Sequence, residues 1–101
     1  MKVLITEEVS PAGIELLRAD PRIEVDVCTG LPVAELHQRI ADYEAVITRS
    51  GTAVDAPLLD AGKKLKIVAR AGVGIDNVDV DYASSKGVIV VNAPFGNTNS
   101  A

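Results

Sequence analysis

Short aliphatic runs alternate along this chain with segments of helical spacing, and that alternation constrains the fold more than any other feature. Val3-Leu4-Ile5 opens the series, and segments 23–27, 43–48, 65–70 and 88–91 continue it. A helical pattern lies between each pair of runs. The first begins at Ser10-Pro11, an N-cap residue followed by proline at the first helical position. It puts Ile14 and Leu17, with Leu16 beside them, on its apolar face and ends at Asp20-Pro21. The second covers 33–42, with Val33, Leu36 and Ile40 at helical spacing. The third opens at Asp55-Ala56-Pro57 and closes at Gly62, and the fourth covers 79–86 and closes at Gly87. Gly30-Leu31-Pro32 and the stretch 92–96 read as turns.

Strands separated by helices need crossover connections, so they pair in parallel, and a parallel sheet must be covered on both faces. Right-handed crossovers leave few topologies. The expectation is an α/β fold, flavodoxin-like, with about five parallel strands in the order 2-1-3-4-5 flanked by helices. Its second strand alternates apolar and acidic residues, as suits an edge. With 101 residues the chain holds one such domain and not two. Hydrophobic residues make up 48% and aromatics only 3%, so the core must be built from Val, Ile, Leu and Ala. After the fifth strand little sequence is left for a covering helix, and Ser100-Ala101 reads as the start of one. Residues 1–101 are therefore expected to form a single, partial domain whose final helix is missing or truncated. The apolar surface left open is expected to favour a homodimer.

Ten basic and fourteen acidic residues give a net charge of −4, which argues against a nucleic-acid or anionic-membrane partner. Cys28 is the only cysteine, so an internal disulfide is excluded, and its expected role is packing. No signal-peptide pattern opens the sequence, no apolar run approaches membrane-spanning length, and a cytoplasmic location is expected. No His, Cys, Asp or Glu spacing suggests a metal, and His37 reads as part of a solvated helix face.

In open parallel sheets, ligands bind at the carboxyl ends of the strands. Three loops carry chemistry there: Arg49-Ser50-Gly51-Thr52, Arg70-Ala71-Gly72-Val73-Gly74 and Pro94-Phe95-Gly96-Asn97. Arginine offers a planar fork for carboxylate or phosphate, and glycines let backbone amides approach an anion closely. Taken singly, an Arg past a strand is more often structural, and paired glycines more often make a turn. The three loops together point to a small anionic ligand. They do not make a dinucleotide fingerprint, because Asn77 stands where the third glycine belongs and the motif follows the fourth strand.

On these motifs the chain resembles the D-isomer-specific 2-hydroxyacid dehydrogenases, over the first part of their substrate-binding domain. The resemblance rests on Val3-Leu4-Ile5-Thr6, Ala45-Val46-Ile47-Thr48-Arg49-Ser50 and above all 65–79, continuing into Lys86-Gly87-Val88, Val91-Asn92-Ala93-Pro94 and Gly96-Asn97. Arg49 and Arg70 together with Gly96-Asn97 favour the phosphoglycerate branch. The resemblance implies that Arg49 and Arg70 face the substrate phosphate, that the amides of Val73 and Gly74 hold its carboxylate, and that Ser50 and Asn97 add polar contacts. It implies no catalytic residue in this chain. It also implies that NAD belongs to a Rossmann domain elsewhere in the parent enzyme, so that these residues alone are inactive and bind 3-phosphoglycerate weakly. The alternative is a stand-alone flavodoxin-like scaffold or interaction module with no ligand. A phosphoacceptor receiver fits poorly, since Thr48-Arg49 and Asn92-Ala93-Pro94 occupy the places of its Asp and Lys.

Overall fold

The computed structural model describes residues 1–8, 11–49, 52–71 and 78–93. Strands β1 (Lys2–Ile5), β2 (Glu24–Val27), β3 (Ala45–Thr48), β4 (Ile67–Ala71) and β5 (Ile89–Ala93) alternate with helices α1 (Pro11–Arg18), α2 (Val33–Ile40), α3 (Ala56–Ala61) and α4 (Val80–Ser85). The strands form one five-stranded sheet, all parallel, in the order β2-β1-β3-β4-β5. This is the expected topology. β2 is the edge its alternating sequence suggested, with Glu24 and Val27 exposed and Val25 and Asp26 half-buried.

Side chains alternate across a strand, so the sheet builds two cores. Leu4, Val46 and Val68 face one side, where Leu36 and Ile40 of α2, Leu58 and Leu59 of α3 and Ala83 of α4 pack on them. Val3, Ile5, Ala45, Ile47 and Ala69 face the other, against Ile14 and Leu17 of α1. Leu16 and Val33, placed by helical spacing beside the apolar faces, are instead exposed. A helix on a sheet buries a narrow stripe, and in α1 that stripe is the buried Gly13 with Ile14 and Leu17. α1 is the only described helix on its face. Ile89 and Val91 of β5 point to that side and remain 61% and 41% exposed, which locates the open apolar surface.

The helix ends follow local chemistry. Asp55 caps α3 by accepting from Leu58 N–H, and Asp79 caps α4 by accepting from Tyr82 N–H. The Ser10 cap lies outside the described residues. Gly62 ends α3 without a left-handed backbone (φ −81°). Its requirement is space: a Cβ there would meet Leu65 Cβ at 2.9 Å. β5 continues through Asn92 and Ala93, which read as a turn in the sequence, because β4 extends to Ala71 and offers them partners.

Between α3 and α4, Asp60 accepts from Tyr82 Oη at 2.6 Å and from Lys86 Nζ at 2.9 Å. The Tyr82 hydroxyl first, and Lys86 next, hold the Asp60 carboxyl below its ordinary value. The unfolded chain therefore takes up this proton at higher pH than the fold does. The stability that Asp60 supplies is present above its unfolded-state pKa and is lost as pH falls through the folded-state value. Urea unfolding of Asp60→Asn at neutral and acidic pH should show a midpoint below wild type at pH 7 and a gap that closes on acidification. A gap independent of pH would contradict this origin.

Candidate functional site

Among the described residues, the buried polar or charged side chains are Thr6, Thr48, Thr52 and Arg70. All four sit at the carboxyl edge of the sheet. Thr6 follows β1, Thr48 ends β3, Arg70 is near the end of β4, and Thr52 lies just beyond β3. Taking polar side chains out of water is costly, so their concentration at one edge sets it apart from the rest of the core.

Strand register arranges them. Thr48 pairs with Arg70, and Arg70 with Asn92, so the three form a row across β3, β4 and β5 on the α2–α3–α4 side. Arg70 is only 8% exposed. The thin water around a guanidinium there lets an approaching anion feel it more strongly. Arg49, the next residue after Thr48, is exposed. Its backbone N–H donates to Glu7 Oε2 at 2.6 Å, and its Nη1 donates to the Glu8 carbonyl at 3.1 Å. Thr6 Oγ1 lies 3.0 Å from Thr52 Oγ1 and 3.4 Å from the Ile47 carbonyl oxygen. Further along, Val54 bridges Val78, and Asp79 N–H donates to the Val54 carbonyl at 2.8 Å. The segments that leave β3 and β4 are thus tied to each other again before α3 and α4 begin.

Arg49 and Arg70 therefore stand at the same edge on neighbouring strands, one exposed and held by the β1 loop, the other buried. Ser50, Val73, Gly74 and Asn97 lie outside the described residues. His37 is half-buried rather than fully solvated, and lines a cavity of about 130 Å³ with Leu36, Thr52 and Asp55. Among the described residues no group of His, Cys, Asp and Glu is placed to hold a metal, and no helix is long and apolar enough to cross a membrane. A dinucleotide would sit at the turn after β1. That turn carries Glu7, whose carboxylate takes the Arg49 amide and would repel a pyrophosphate. Among the described residues, this turn does not fit the pyrophosphate of NAD.

Sequence reasoning had not singled out Thr6 or Thr48 as site residues. The available signal was a threonine closing each of two apolar strands, Val3-Leu4-Ile5-Thr6 and Ala45-Val46-Ile47-Thr48.

Fold and site together define an α/β domain with a polar, arginine-bearing edge at the carboxyl ends of its strands. The family model for "D-isomer specific 2-hydroxyacid dehydrogenase, catalytic domain" matches residues 3–101. The chain belongs to that family. It is 48% identical over 100 residues to D-3-phosphoglycerate dehydrogenase of Archaeoglobus fulgidus, covering 99% of this chain and 19% of that one. The similarity extends to solved structures. A Thermus thermophilus protein matches with TM-score 0.84 and 34% identity over 93% of this chain and 30% of its own. The NAD+-bound 3-phosphoglycerate dehydrogenase of Entamoeba histolytica matches with TM-score 0.80 and 28% identity, over 93% of this chain and 33% of its own. The chain spans about a fifth of the length of the curated relative.

Thr48 Oγ1 is buried with no hydrogen-bond partner among the described residues. Replacing an unpaired hydroxyl by a methyl of similar shape removes a desolvation penalty. Thr48→Val should unfold at an unchanged or higher urea concentration, by up to about 1 kcal/mol in stability. A loss of more than about 1 kcal/mol would show that the hydroxyl has a partner.

Proposed function

We propose that this chain is the substrate-binding part of an NAD-dependent D-3-phosphoglycerate dehydrogenase, acting in serine biosynthesis in the cytoplasm. The parent enzyme interconverts 3-phosphoglycerate and 3-phosphohydroxypyruvate with a nicotinamide cofactor held outside these residues. The observation that carries this reading is the buried Arg70, set in register between Thr48 and Asn92 beside the segment bearing Arg49. Identity of 48% to a D-3-phosphoglycerate dehydrogenase across almost the whole chain supports the same substrate.

In this reading Arg49 and Arg70 engage the phosphate, where a planar guanidinium can make paired, charge-assisted hydrogen bonds. The Val73 and Gly74 amides take the carboxylate, and Ser50 and Asn97 add polar contacts. The chain supplies binding and orientation, not hydride transfer or acid–base chemistry, so alone it does not turn over. The open Ile89 and Val91 surface is a route to self-association.

Amide-resolved NMR of the chain during titration with 3-phosphoglycerate tests the proposal, with NAD as a separate control. Shifts should be confined to 49–52, 70–74 and Asn97, should be lost in Arg70→Ala, and should be absent with NAD. A dispersed spectrum that 3-phosphoglycerate leaves unchanged would favour the ligand-free scaffold instead.

A further inference from the structure

The β1 loop grips the segment carrying Arg49 at both ends. The last backbone rung between β1 and β3 runs from Thr6 N–H to the Ile47 carbonyl at 3.1 Å. One step further on, the Arg49 N–H goes to the Glu7 side chain, at 2.6 Å. A carboxylate acceptor makes this bond shorter and stronger than an ordinary rung. The Glu8 carbonyl accepts from the Arg49 guanidinium, which fixes the long side chain as well as its backbone. At the far end of the same segment Thr6 Oγ1 meets Thr52 Oγ1 at 3.0 Å, with both residues buried. Consecutive residues, Thr6 and Glu7, thus hold positions 52 and 49.

A carboxylate at the rim of an anion site can act on the ligand in two ways. As a charge alone, Glu7 repels the ligand, and its removal would tighten binding. As a clamp, it fixes where Arg49 stands before the ligand arrives, and its removal would weaken binding, because the ligand must then order the segment itself. The two roles predict opposite signs.

We propose that Glu7 is a positioning residue of the anion site, holding Arg49 through its backbone amide while Thr6 holds Thr52. The proposal rests on the substrate reading above and adds a residue that touches no substrate. Its test compares wild type, Glu7→Ala and Glu7→Gln of the whole chain by NMR. Amide hydrogen exchange is measured without ligand, and affinity for 3-phosphoglycerate is measured by titration. Glutamine keeps an oxygen acceptor and drops the charge, so it separates the clamp from the repulsion. Glu7→Ala should speed exchange at Arg49 and bind 3-phosphoglycerate about tenfold more weakly, a loss of ~1.4 kcal/mol. Glu7→Gln should restore both to within a few-fold of wild type. Unchanged exchange at Arg49, or equal or tighter binding by Glu7→Ala, would overturn the role of Glu7 and leave the substrate reading standing. A wild-type chain that does not bind would overturn the substrate reading itself, and with it this role.

Discussion

The pairing of β3 with β4 governs everything at the carboxyl edge. Its register places Ala45 against Ile67, Val46 against Val68 and Thr48 against Arg70. Because side chains alternate, a slip of β4 by one residue would send Val68 out of the larger core and turn Arg70 to the α1 side, away from Thr48. Val46 and Val68 are fully buried and strongly oppose such a slip. Hydrophobic burial thus fixes where the polar residues go. Arg70 reaches a nearly buried position because Val68, two residues earlier, is locked beneath the helices.

An acidic chain is an odd host for an anion until distance is considered. The net charge of −4 is a sum over the whole chain. Screening confines each exposed charge to about 8 Å at physiological ionic strength. A phosphate at the sheet edge therefore responds mainly to its neighbours, and a guanidinium with little water around it outweighs distant carboxylates. Glu7 is the near exception, and its carboxylate is engaged with the Arg49 amide. The same edge holds the Thr48 hydroxyl, which is buried with no hydrogen-bond partner among the described residues.

Most of the architecture was legible in the sequence because hydrophobic periodicity controls it. The alternating β2 announced an edge, and Asp55 and Asp79 announced helix starts. What escaped was set by tertiary contacts. Leu16 and Val33 have the spacing of buried residues yet face solvent, because the sheet accepts only part of each helix surface. Asn92 and Ala93 have turn composition but join β5, because β4 offers them partners. Glu7 looks like a loop acid, and only the fold brings its carboxylate to Arg49, forty-two positions away. Arg49 and Arg70 were visible as candidates, but their contrast, one exposed and one buried, depends on their neighbours rather than their own identity.

The central claim is that the two arginines read a phosphate. Calorimetric titration of the chain with 3-phosphoglycerate and with D-glycerate, which lacks only the phosphate, tests it directly. Charged hydrogen bonds of about 1.5–3 kcal/mol imply tighter binding of 3-phosphoglycerate by about tenfold or more, and that gap should collapse in Arg70→Ala. Equal affinity for the two ligands, or a gap that survives loss of Arg70, would contradict the account.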